Sequence, residues 1–174
     1  MAEQLPSGFE SLATSRAYFT QESMLAVETR KRKLFIGLPR ETSLQENRIG
    51  LTPEAVQHLV TEGHEVVMEA GAGEPSKYAD HAYSEAGAQI AYSAEEVFKA
   101  DVLLKVAPPT LEEIELLHAN QTLISALQMG SMTSDYIAAL ARKKINAIGF
   151  ELMKDPSGAR PVVRAMSEIG RAHV

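Results

Sequence analysis

From residue 33 onward, short apolar runs alternate with segments whose apolar positions recur at helical spacing. Lys33–Leu38 is the first run, closed by Pro39. Glu65–Ala70, Gln89–Tyr92, Asp101–Val106, Gln121–Leu127 and Ile145–Phe150 follow, and each reads as a strand. Between them, Thr52 with Pro53 marks a helix start, and Ala55, Val56, Leu59 and Val60 keep helical spacing up to Gly63. Further helices are predicted around His81–Ala86, from Ser93 with Glu96 completing a capping box, over Thr110–Leu117 and over Thr133–Lys143. Short strands separated by helices of about ten residues are βαβ units. They predict a doubly wound α/β domain, with a mostly parallel sheet covered by helices on both faces.

Ahead of this pattern, residues 1–18 are polar and mixed, and Thr20–Arg32 is helix-friendly with a narrow stripe of Met24, Leu25 and Val27. Residues 1–32 are therefore expected to be a leader and an outer helix, and residues 33–169 the folded domain. Composition is that of a soluble globular protein, with 45% hydrophobic and 23% charged residues. A net charge of −6 and scattered basic residues exclude a phosphate backbone as a natural partner, so no nucleic-acid role is expected. The absence of cysteine excludes disulfides, thiolate metal sites and a cysteine nucleophile. No apolar run approaches the roughly 18 residues of a membrane span, and Met1–Glu10 carries no secretion signal, so the expected location is cytoplasmic.

Three features bear on chemistry. Gly71-Ala72-Gly73 follows a strand, but no third glycine arrives and Glu74-Pro75-Ser76 stands where a phosphate-binding helix would open. It reads as a tight βα turn, and no cofactor-binding residue is assigned in this chain. Arg48 lies between a strand end and a helix start, where open α/β sheets place their ligand crevice. A guanidinium there can grip a carboxylate through two nitrogens, although a solvated loop arginine is the competing reading. Lys105 sits in an otherwise apolar strand and needs an anionic partner or a ligand. His58, His64, His81 and His118 form no paired metal motif and read as surface or capping residues; no metal site is expected.

The segments Leu34–Thr42, Glu46–Val56, Gly63–Gly73, Ala86–Ala88, Asp101–Val106 and Pro161–Ile169 resemble, in order and spacing, the N-terminal domain of the alanine dehydrogenase/pyridine nucleotide transhydrogenase family. The resemblance covers residues 33–169 and implies a substrate-side domain that closes over a separate NAD- or NADP-binding domain lying further along the chain. It implies a small amino or oxo acid as substrate and a homo-oligomer. Arg48 matches the family's substrate-binding arginine, with Lys105 a second candidate. The family's lysine position is held by Ala107, and its histidine position by Gln128. No catalytic residue is therefore assigned: alanine carries no charge, and a glutamine amide can donate a hydrogen bond but not exchange a proton.

This loss resembles some transhydrogenase α subunits, for which a membrane subunit would be a partner. Met153–Val163 instead resembles the dehydrogenase branch, and it tips the expectation to an alanine dehydrogenase-like oxidoreductase. A transhydrogenase subunit and a non-catalytic module that kept the fold are the alternatives. Saccharopine-forming dehydrogenases are more distant relatives, and the lysine and histidine missing from this chain count against that reading too. Finally, Glu168–Val174 is what a common sequencing adapter encodes in this frame, so residues 170–174 are expected to be a non-native tail and the fragment alone inactive.

Overall fold

The computed structural model describes residues 33–165. The expected leader and helix within residues 1–32 and the expected tail at residues 170–174 lie outside them. Six strands form one parallel sheet: β1 (Phe35–Leu38), β2 (Glu65–Glu69), β3 (Gln89–Ala91), β4 (Val102–Leu104), β5 (Thr122–Ser125) and β6 (Asn146–Gly149). Their order across the sheet is β3-β2-β1-β4-β5-β6, and every neighbouring pair is parallel. The helices between these strands are α1 (Pro53–Thr61), α2 (Asp80–Glu85), α3 (Ala94–Val97), α4 (Leu111–Leu116) and α5 (Ser134–Lys143).

Strand side chains alternate between two apolar layers because successive Cβ atoms point to opposite faces. Ile36, Leu38, Val66 and Met68 pack with Val56 of α1 and Tyr83 of α2 on one face. Val67, Leu103 and Leu123 pack with Val97 of α3, Ile114 of α4 and Ala139 of α5 on the other. The chain therefore winds outward from β1 on one face, returns through α3, and winds outward again from β4 on the opposite face. Both faces being covered is why the central strands read as unbroken apolar runs rather than as alternating ones. The outer strand β6 is the exception, with Asn146, Ala147 and Ile148 exposed.

Helix starts follow the local chemistry. Thr52 and Thr133 accept hydrogen bonds from the amides of Ala55 and Tyr136, as capping hydroxyls should. Ser93 accepts from the Glu96 amide. The reciprocal capping box, however, lies at Thr110 and Glu113, where the Glu113 carboxylate also receives the Thr110 amide.

Strand ends depart from the sequence expectation. β4 stops at Leu104, not Val106, so Lys105 lies just beyond the strand, and β5 stops at Ser125 rather than Leu127. The apolar signal runs on because Val106 and Leu127 remain buried beyond the strand ends, and the Val106 carbonyl still accepts from the Ala126 amide at 3.1 Å.

Gly37 shows how tightly β1 is covered. A Cβ there would stand 2.7 Å from the Val97 carbonyl oxygen and 2.9 Å from the Ala100 Cβ. Gly37→Ala should cost about 1–3 kcal/mol through overpacking. Chemical denaturation checks this, and a variant as stable as wild type would mean that α3 can shift freely.

Candidate substrate crevice

At the boundary between β1 and β4 the connections leave the sheet toward opposite faces, and parting loops of this kind open a crevice beyond the carboxyl ends of the strands. Two loops frame it: residues 39–52 after β1, and residues 105–110 after β4. A surface depression lies elsewhere, beneath the amino ends of β4 and β5 around Lys99, Asp101, His118 and Asn120. Of the residues weighed for chemistry it holds only His118, read as a surface or capping residue.

Carboxylates tie the strand ends together. Backbone N–H groups past the last ladder bond need acceptors, and an ionised carboxylate is a strong one. Glu69 accepts from the Arg40 amide at 2.9 Å, and Asp80 accepts from the Gly71 amide at 2.9 Å. Glu41 accepts from the amides of Val106 at 2.6 Å and Ala107 at 3.4 Å. Glu151 accepts from those of Leu127 at 3.2 Å and Gln128 at 2.9 Å. Each strand from β1 to β5 except β3 thus hands its chain to a carboxylate from a neighbouring segment.

The strongest tie joins the two crevice loops. Lys105 is only 2% exposed. Its Nζ lies 3.0 Å from Glu113 Oε1 and 3.3 Å from Glu41 Oε2. Thr42 Oγ1 donates to the same Glu113 oxygen at 3.2 Å. Burial pushes the Glu41 carboxyl above its ordinary value, although the Lys105 charge and the Val106 and Ala107 amides act the other way. The ammonium faces protein carboxylates and is closed off from the crevice.

Arg48 lies in the loop after β1, with its side chain half exposed. Its Nε donates to Glu46 Oε1 at 2.7 Å and its Nη2 to Glu46 Oε2 at 2.6 Å, while its own amide reaches Oε1 at 3.1 Å. The hydrogen bonds from Arg48 hold the Glu46 carboxyl below its ordinary value. The loop is anchored on both flanks. The Tyr83 hydroxyl donates to the Leu51 carbonyl at 2.8 Å, Ser76 Oγ donates to the Asn47 carbonyl, and Gly50 approaches the Leu104 Cβ.

The two departures from the family pattern also lie at this end of the sheet. Ala107 is 9% exposed, just beyond the Glu41 tie. Gln128 is exposed and holds a left-handed backbone at φ 50°, and its carbonyl accepts from Ser131 Oγ at 2.9 Å.

Gly71-Ala72-Gly73 is occupied by the fold itself. A Cβ on Gly73 would stand 2.7 Å from both the Tyr78 carbonyl and the Tyr83 ring. Behind it comes a single 3₁₀ turn, Glu74–Ser76, and the Gly71 amide already serves the Asp80 carboxylate. His64 takes a structural part, its Nδ1 accepting from the Leu34 amide at 3.2 Å.

Sequence reasoning singled out Arg48 and Lys105 but passed over Glu41, Glu46, Glu113 and Glu151. Two signals were present. A lysine in an apolar run demands carboxylates, and Thr110-x-x-Glu113 is a capping box that fixes one of them beside β4. Glu151 had no such signal, because it meets Gln128 only once β5 and β6 are paired.

Among the described residues, no helix is long and apolar enough to cross a membrane, and no cluster of three or more potential ligands would hold a metal ion. The family model "Alanine dehydrogenase/PNT, N-terminal domain" matches residues 37–170. The alanine dehydrogenase of Mycobacterium tuberculosis is 37% identical over 135 residues, covering 77% of this chain and 36% of that protein. That of Methanococcus maripaludis is 37% identical over 137 residues, with 78% and 36% covered. Among solved structures, an L-alanine dehydrogenase superposes with a TM-score of 0.73 at 34% identity, covering 77% of this chain and 37% of the other. A transhydrogenase from Sinorhizobium meliloti gives 0.63 at 32% identity, covering 68% and 35%. The chain spans little more than a third of the length of these relatives. With fold, sheet order and matched residues in agreement, the chain belongs to the alanine dehydrogenase/transhydrogenase family and comprises its N-terminal domain.

Proposed function

We propose that this chain is the substrate-side domain of an NAD(P)-dependent oxidoreductase acting on a small amino or oxo acid, as in the alanine dehydrogenases. The observation that carries the reading is Arg48: a half-exposed guanidinium on an anchored loop at the crevice between β1 and β4. There it receives the substrate carboxylate. Lys105 is an internal tie between the crevice loops, not a substrate ligand. Gln128 can donate a hydrogen bond to a carbonyl oxygen but moves no proton. Only a single 3₁₀ turn, Glu74–Ser76, follows Gly71–Gly73, so the nicotinamide cofactor is assigned to a Gly-rich strand–turn–helix outside the described residues. When bound, that cofactor supplies or accepts the hydride.

One observation favours a second reading. Ala107 and Gln128 leave the crevice without the family's proton-exchanging pair, and hydride transfer between two nicotinamides requires none. A transhydrogenase subunit would tolerate both residues.

The test is the complete gene product. Its NADH oxidation should depend on pyruvate and ammonia together, and it should form alanine. Hydride transfer from NADPH to an NAD analogue without any oxo acid would instead establish the second reading. Neither activity would reduce the domain to a scaffold.

A further inference from the structure

The clamp on Arg48 has a geometry that an incidental surface pair does not need. A guanidinium has two edges that match a carboxylate: the side edge of Nε and Nη2, and the end edge of Nη1 and Nη2. Glu46 occupies the side edge with both of its oxygens. Among the described residues, none accepts a hydrogen bond from Nη1, so the end edge is left over in a side chain that is half exposed. The two residues are not paired across a helix turn. They stand two apart in a loop, and Gln45 just ahead holds the left-handed backbone, at φ 67°. That kink lays the Glu46 carboxylate over both the Arg48 amide and its side chain. The carboxylate is itself sheltered, at 13% exposure against 50% for Arg48, so the arginine is the partner turned outward.

We propose that Glu46 is the positioning residue of the carboxylate site, holding Arg48 by its side edge so that its end edge is presented to one carboxylate of a small acid. The proposal rests on the reading of Arg48 above. A free arginine in a loop samples many rotamers, and ordering it on binding weakens affinity. The Glu46 clamp makes that ordering before the ligand arrives. It also neutralises Arg48, so one bound carboxylate already leaves Arg48, Glu46 and ligand with a net negative charge, and a second carboxylate on the ligand would meet only repulsion. The site thereby suits small monocarboxylates.

The side-chain amide spectrum of the 174-residue chain tests this directly. The Arg48 Nε–H resonance, identified by its loss in Arg48→Lys, should be protected from exchange and should shift saturably on titration with pyruvate. In Glu46→Gln the protected resonance should vanish and pyruvate affinity should fall by up to about tenfold, the cost of ordering one long side chain on binding. Glu46→Asp keeps the charge on a stem one methylene shorter, and it should lose affinity similarly. Pyruvate binding in Glu46→Gln that is as tight as wild type or tighter overturns the clamp while leaving the carboxylate site standing. Full affinity in Glu46→Asp overturns it too, because charge alone would then suffice. No shift of Arg48 in the wild-type chain removes the clamp and the carboxylate site together.

Discussion

Replacing Lys105 by methionine is expected to lower the unfolding free energy by about 3–5 kcal/mol near neutral pH, the usual cost of stripping one partner from a buried ionic cluster. Methionine fills much of the lysine's volume, so little of the loss comes from a cavity. The loss comes from Glu41 and Glu113, which are left inside the fold with no cation. The pH dependence identifies the cause. Burial already raises the folded-state pKa of Glu41 above its ordinary value of 4.5. A carboxyl raised in this way favours the native state while protonated, below about pH 4.5, and loses that contribution as pH rises through the folded-state value. Without the Lys105 charge the folded-state value rises further, and the window widens upward. The deficit of Lys105→Met relative to wild type should therefore shrink as pH falls toward 4, measured by urea unfolding at several pH values. A deficit independent of pH would mean that the lysine stem, not its charge, holds the loops.

How the fold could be read in advance, and where reading stopped, follows from the same distinction between local and non-local forces. Strands such as Phe35–Leu38 and helix starts such as Thr52-Pro53 were legible because their causes lie within a few residues: apolar runs, hydroxyl caps and a proline at the first helical position. The crossover from one face to the other followed from the sheet's parallel strands and short helices. The carboxylate ties were not legible as a set. Glu41 is 65 residues from the Val106 amide that it receives, and Glu151 is 23 from that of Gln128. Nothing in their local sequence separates them from ordinary surface glutamates. Strand ends were misjudged for a related reason: Val106 and Leu127 are buried by tertiary packing beyond the strand ends at Leu104 and Ser125. Arg48 was visible as a candidate only because its place between strand and helix is local, whereas its clamp depends on a kink at Gln45.

The second large effect concerns turnover in the complete protein. Arg48→Lys should weaken or slow a carboxylate-bearing substrate by about tenfold to a hundredfold, since a charge-assisted pair contributes roughly 1.5–3 kcal/mol. Lysine offers a single charged point where arginine offers a planar fork, and one ammonium cannot serve Glu46 and a substrate with paired bonds. The KM for NADH should be nearly unchanged, because on the proposed reading the dinucleotide binds a Gly-rich strand–turn–helix outside the described residues. Ala107→Lys combined with Gln128→His is the converse change, and the backbone is suited to it. Histidine is among the residues that tolerate the left-handed conformation at position 128. General acid–base catalysis contributes on the order of 10²–10⁴ in rate, so even partial restoration should raise pyruvate-dependent NADH oxidation at least about tenfold. If Arg48→Lys leaves that activity unchanged, Arg48 is a structural loop residue. If the double replacement adds nothing while NADPH-to-NAD transfer proceeds in both proteins, Ala107 and Gln128 belong to a site that never needed a proton.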